Sequence, residues 1–377
     1  MIEDADSITG YTKRDISIPA YPHLTVKEGK KLIDCLEKEN GLPKEEMAAL
    51  ISAECLELCE YARGKARVIA DRQFGKNIYI RGLIEFTNYC KNDCYYCGIR
   101  CSNAKAKRYR LSRDEIMACC WEGKKLGFRT FVLQGGEDPY FDDDRIVNLI
   151  RQIRTTFPDC AITLSLGEHE RESYERFWEA GADRYLLRHE TANEIHYQKL
   201  HPQSLSIKHR KQCLWKLKEI GFQTGCGFMV GSPGQTAEHL AEDFQFVREL
   251  HPAMVGIGPF IPHCDTPFAK ESQGSMELVL YLLSLLCIQQ PGLLLPATTA
   301  LATIHPRGRE LGIEAGANVV MPNLSPLGVR DKYQLYNGKV CTGDEAAKCR
   351  NCLEERMESV GYHIVAGRGD YCNRRSG

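Results

Sequence analysis

Thr87-Asn88-Tyr89-Cys90-Lys91-Asn92-Asp93-Cys94-Tyr95-Tyr96-Cys97-Gly98 is the most informative stretch of the chain, with its cysteines spaced C-x3-C-x2-C. Three thiolates can hold three irons of a 4Fe–4S cube and leave the fourth iron open, whereas electron-transfer clusters normally close all four positions with cysteine. An open iron can bind and reduce a ligand, so the spacing points to catalysis. Cys101 is left out of the ligand set, since it would close that iron. A zinc site or a group of buried thiols is the plainer reading of three cysteines alone, and the surrounding sequence has to decide.

Upstream of Gly75 the chain reads as helical, with apolar spacing of that period over Val26–Glu39 and Lys44–Arg72. From Asn77 onward, short apolar or β-branched runs alternate with longer amphipathic stretches. The expected strands are Ile78–Phe86, Thr130–Gln134, Ala161–Leu166, Arg184–Leu187, Gln223–Val230, Met254–Gly258, Leu294–Thr298 and Asn318–Met321. Helices are expected between them at Ser112–Leu126, Asp143–Thr156, Glu170–Ala180, Ser206–Ile220, Ala237–Leu250, Ser275–Gln289 and Pro306–Leu311. Ser112 and Glu115 form a capping box. Gly127, Gly181, Gly221 and Gly316 suit left-handed helix ends. Eight strands alternating with helices predict an α/β fold, a (βα)8 barrel of the TIM type, over residues 75–324. A helical segment (1–74) precedes it, and an irregular, cysteine-containing extension (325–377) follows.

Composition narrows the class. Net charge is −1 over 377 residues, which gives no reason to expect nucleic acid or an anionic membrane as a partner. The longest apolar run, near Leu278–Ile288, is too short to span a bilayer, and the N-terminus lacks an apolar signal region. The 18 cysteines are spread irregularly over a long chain, unlike a secreted disulfide scaffold. Free thiols beside an iron–sulfur site imply a reducing, cytoplasmic and anaerobic setting.

In a barrel of this type, chemistry gathers where strands end. The cysteine loop follows the first expected strand, and Gln134-Gly135-Gly136-Glu137 ends the second. Gly167-Glu168, Arg188-His189-Glu190, Gly231-Ser232-Pro233-Gly234, Pro259–His263 and Thr298-Thr299 end later ones. Glu168 and Arg188, on neighbouring strand ends, are placed to form an ion pair.

A C-x3-C-x2-C loop after a first strand, followed by Gly-Gly-Glu at the end of a second, resembles the radical S-adenosylmethionine (SAM) superfamily. That resemblance implies SAM chelated to the open iron of a 4Fe–4S cluster held by Cys90, Cys94 and Cys97, and its cleavage to a 5′-deoxyadenosyl radical. It further implies SAM contacts from Tyr96, Gly135, Gly136, Glu137, Glu168, Arg188, Met229 and Gly231. The segments Leu186–Asn193, Phe131–Asp138, Met321–Pro326 and Arg330–Tyr336 are similar to those of the HydE family of FeFe-hydrogenase maturases. By this likeness the radical acts on an organometallic iron–cysteine precursor of the hydrogenase cluster, with Thr298, Thr299, Tyr333 and Tyr336 in the substrate pocket. Cys341, Cys349 and Cys352 match that family's accessory cluster, 2Fe–2S or 4Fe–4S.

The implied partners are a small organometallic or amino-acid-derived substrate, an electron donor such as ferredoxin or flavodoxin, and other hydrogenase maturases. The chain is expected to be a monomer. Methylornithine synthase, biotin synthase and a non-catalytic iron–sulfur scaffold are the rival readings. Plainer roles also stand beside the sharper ones. Cys55 and Cys59, like Cys119 and Cys120, suit core packing. Thr298 and Thr299 suit a helix cap, Tyr333 and Tyr336 suit packing, and His201, His263 and His305 suit structural turns. Glu137-Asp138 and Asp142–Asp144 suit a solvated helix start.

Overall fold

The structure, a computed structural model, describes residues 24–340 and 350–371. Six parallel strands lie side by side in chain order: Gly82–Thr87, Thr130–Gly135, Ala161–Ser165, Arg184–Leu186, Gln223–Cys226 and Met254–Val255. Single parallel bridges continue the ring from Met254 to Leu294, from Pro296 to Val319, and from Asn323 back to Leu83. The architecture is the expected TIM-type barrel. The seventh strand position pairs only through bridges because Pro296 has no N–H to offer a ladder.

Local chemistry explains the elements. Helix Arg113–Lys125 begins with the expected capping box, Ser112 and Glu115 each bonding the other's backbone. Asp142 caps Asp143–Thr156 through the Arg145 N–H at 2.9 Å. Gly127, Gly181, Gly221 and Gly316 have φ of +87°, +111°, +114° and +102°, as left-handed helix ends require.

Several expected elements are corrected. Lys44–Arg72 is two helices, Lys44–Ser52 and Leu56–Phe74. The first packs on Ala237–Leu250 and the second on Met276–Gln289, so a break lets each apolar face meet its own neighbour. Strands five and six are interrupted at Gly227 and Gly256, where a Cβ on Gly227 would lie 2.0 Å from the Gly256 carbonyl oxygen. The expected helix at Pro306–Leu311 is instead Gly308–Glu314, preceded by Thr299–Ile304, and a short helix at Glu194–Leu200 was not foreseen.

The C-terminal extension is more regular than expected. It contains helix Arg350–Glu358 and strand His363–Val365, which pairs in parallel with Asn77–Ile80 at the barrel base. Beyond it, Asp370 pairs with the fully buried Arg184 at 2.6 Å, and Arg368 with Asp183 at 2.7 Å. Helix Met276–Gln289 is buried on nearly every side. No helix among the described residues is long and apolar enough to cross a membrane.

Candidate active site at the barrel mouth

The cysteine loop is strapped from several sides. Asp93 takes two hydrogen bonds from the Arg100 guanidinium, which hold its carboxyl well below the usual carboxylate range. Arg108 donates to the carbonyls of Asn88, Ile99 and Arg100, and the Asn88 amide to those of Lys107 and Lys332. The Gly98 N–H reaches Leu335 O at 2.9 Å, and the Lys91 N–H reaches Glu137 O at 2.9 Å. Gly136 has to be glycine, because a Cβ there would sit 2.1 Å from Tyr89 O and 2.8 Å from Cys90 Cβ. The end of strand two thus presses directly on the cysteine loop.

Cys90, Cys94 and Cys97 are free thiols that line one cavity of about 330 Å³. Tyr96, Gly135, Gly136, Glu137, Arg188, Met229, Thr298, Thr299, Tyr333 and Tyr336 line the same cavity. Thr298 is the N-cap residue of its helix, yet its hydroxyl makes no cap bond and is buried without a hydrogen-bond partner in the described structure. Gly231 lies outside this lining; its φ of +74° and close approach to Gly274 shape a turn. Cys101 is exposed and also outside.

The expected Glu168–Arg188 pair does not form. Glu168 Oε1 meets Arg210 Nε at 2.5 Å, and Arg188 meets Glu190 at 3.0 Å. Arg188 and Glu190 project from the same strand end, while Arg210 reaches in from helix Ile207–Ile220. Glu190 has φ of +63°; the other described non-glycine residues with positive φ, Asn40 and His251, both end helices. Its conformation is fixed by the Glu190 N–H to Gly227 O at 3.0 Å and the Met229 N–H to Glu190 O at 3.1 Å. Next to it, buried His189 donates from Nε2 to Asp243 at 3.1 Å. A strained residue beside a cavity is a functional signal, and the sequence contains no cue to it.

Other members were also missed. Glu85 and Lys339 form a buried ion pair in the cavity wall, with Asn323 bonded to Glu85 at 2.9 Å. The Tyr96 hydroxyl donates to His201 Nε2 at 3.1 Å, while His201 Nδ1 donates to Tyr197 O at 3.0 Å. Burial lowers the His201 pKa to about 3, so it stays a neutral acceptor.

The sequence model of the Radical SAM superfamily matches residues 84–247. The FeFe-hydrogenase maturase subunit HydE of Thermotoga maritima is 43% identical over 333 residues, which is 88% of this chain and 94% of that protein. The chain belongs to the radical SAM superfamily. The 3-methylornithine synthase of Methanosarcina acetivorans is 31% identical over 78% of this chain and 81% of its own. A methylornithine synthase crystal structure superimposes with a TM-score of 0.78 at 28% identity, covering 89% of this chain and 97% of that one. The hydrogenase maturase HydG gives a TM-score of 0.76 at 20% identity over 93% of this chain and 77% of that one, a likeness of fold.

Radical SAM proteins take a 4Fe–4S cluster and SAM, and the donor set fits such a cluster. Burial, with mutual repulsion among the thiols, pushes Cys97 up to about 12 and Cys94 well above the usual thiol range. Thiols that raise one another's pKa in this way need a cation to become thiolates together, and metal binding releases their protons. Three cysteines lining one cavity could hold three irons of such a cluster and would leave the fourth without a protein ligand. Of the C-terminal trio, Cys341 and Cys349 lie outside the described residues, and Cys352 is exposed on helix Arg350–Glu358.

Proposed function

We propose that this chain is a radical SAM maturase of the HydE type, acting on an iron–cysteine organometallic precursor of the FeFe-hydrogenase cluster. The observation that carries the reading is 43% identity to HydE along 94% of that protein's length. When bound, a 4Fe–4S cluster on Cys90, Cys94 and Cys97 supplies the electron that splits SAM into methionine and a 5′-deoxyadenosyl radical.

The residues then bind and orient. Gly135 and Gly136 let backbone carbonyls approach the SAM ammonium. Arg188 and Glu190 offer one charge of each sign to its carboxylate and its ammonium or ribose. Glu137 is braced by Lys91 at 3.3 Å, and it crosses Gly167, which has no side chain to block it. Tyr96 and Met229 pack with Phe260 into an apolar wall suited to adenine. Arg210 lines the same cavity and is held by Glu168, which lies outside that lining. Thr298, Thr299, Tyr333 and Tyr336 face the substrate. Cys341, Cys349 and Cys352 hold an accessory 2Fe–2S or 4Fe–4S cluster. A cytoplasmic monomer fed by ferredoxin or flavodoxin, and working beside other hydrogenase maturases, completes the reading.

The test is reductive SAM cleavage by the reconstituted protein. Wild type should form 5′-deoxyadenosine and the triple variant C90S/C94S/C97S none; equal rates would overturn the reading. Methylornithine synthase is the second reading, favoured by its 31% identity and its superposition. Incubation with lysine distinguishes them, since only that activity yields a rearranged isomer.

A further inference from the structure

Glu85 and Lys339 meet inside the barrel mouth although 254 positions separate them. Glu85, 1% exposed, stands on the first barrel strand; Lys339, 7% exposed, arrives from the C-terminal extension. The Lys339 ammonium contacts one Glu85 oxygen and donates to the Tyr333 carbonyl at 3.0 Å. It also lies 4.8 Å from the centre of the Tyr333 ring, a cation–π distance. The other Glu85 oxygen accepts from Asn323 at 2.9 Å. The Glu85 backbone is held as well, its N–H on Ser325 Oγ at 2.8 Å and its carbonyl on the Tyr109 hydroxyl at 2.7 Å.

A buried ion pair is a poor source of net stability, because apolar residues of the same volume often do as well or better. A pair with every partner placed specifies a single arrangement instead. Here the ion pair joins the first strand, Asn323 just past the strand Val319–Val320, and the turn that carries Tyr333 and Tyr336. The Tyr333 hydroxyl is thereby set 3.4 Å from Gln134 Nε2 in the cavity wall.

We propose that Glu85 and Lys339 are positioning residues for the substrate end of the cavity, holding Tyr333 in the orientation that presents an amino-acid-derived substrate to the radical. The inference rests on the function proposed above. It assigns the pair to coupling between radical and substrate rather than to making the radical.

The test compares wild type, K339M and E85L/K339M, which removes both charges together. Amide hydrogen exchange over residues 333–336 needs no substrate and reads the positioning directly. Coupling is read as 5′-deoxyadenosine formed per molecule of a synthetic iron–cysteine organometallic complex consumed, with KM and kcat measured separately. K339M should exchange at least tenfold faster over 333–336 and raise the coupling ratio at least fivefold, with KM rising more than kcat falls. Its reduced-cluster spectrum with SAM should match wild type. The double variant should regain the wild-type melting temperature without regaining coupling. Unchanged exchange or unchanged coupling in K339M overturns the inference. So does restored coupling in the double variant, which would make the pair structural only. A wild-type protein that fails to cleave SAM counts against the proposed function, whereas the exchange measurement decides the positioning claim independently.

Discussion

Glu168 takes its ion pair from Arg210, with Oε1 and Nε 2.5 Å apart and both side chains about 10% exposed. Removing one partner from such a pair strands a buried charge. R210M should therefore destabilise the protein by about 3–5 kcal/mol, measured by denaturant unfolding of the metal-free chain. R210M/E168L should recover most of that loss. A single variant as stable as wild type would show that the pair is solvated.

Gly136 should be intolerant of even one methyl group. In G136A the new Cβ meets Tyr89 O and Cys90 Cβ, so the cysteine loop has to shift. A displacement of about 1 Å can lower a rate by ~100-fold. SAM cleavage in G136A should fall by that order, while far-ultraviolet circular dichroism stays that of wild type.

Tyr96 should act through its hydroxyl as well as its ring. In Y96F the ring keeps its packing against Met229 and Phe260 but loses the bond to His201. One hydrogen bond is worth about 1 kcal/mol, so SAM should bind roughly fivefold more weakly by equilibrium titration. Unchanged affinity would show that the ring alone matters.

Stability should fall as pH rises from about 4.5 to 7, because of Glu54. Burial, with Glu277 nearby, raises its pKa to about 7. Between the two values the folded state binds more protons than the unfolded state, so raising the pH favours unfolding. The full shift corresponds to roughly 3 kcal/mol. E54Q should flatten this slope and be the more stable form at pH 8. An identical pH profile in E54Q would refute the assignment.

Substituting serine for Cys341, Cys349 and Cys352 should lower bound iron and leave SAM cleavage intact. Iron analysis beside 5′-deoxyadenosine yield checks both halves. Loss of cleavage would tie the accessory cysteines to the radical step.

Much of the barrel is legible because its signals are local. Gly127, Gly181, Gly221 and Gly316 each mark a helix end within a residue or two, and the three site cysteines share eight consecutive positions. Partners set by three-dimensional packing are not local. Arg210 sits in a helix rich in lysine and arginine, where a buried guanidinium reads like a solvated one. Glu85 carried a usable signal: an acid inside the apolar run Leu83-Ile84-Glu85-Phe86, in register with inward-facing Leu83. Lys339 carried none, because its stretch has no periodicity to say which residues turn inward. The strained φ of Glu190 follows from its bonds to Gly227 and Met229, forty residues downstream at most, which the local pattern does not encode.

The extension grips the barrel at both ends. Leu335 and Lys339 fasten the mouth beside the cysteine loop, while His363–Val365 and Asp370 fasten the base. During synthesis, which runs from the N-terminus, the three site cysteines emerge more than two hundred residues before Lys332 and Leu335, the last of the groups that pin their loop. A nascent chain therefore exposes an unfinished, oxidisable thiol loop for most of its translation. The loop gains its last braces only when Lys332 and Leu335 have docked against Asn88 and Gly98.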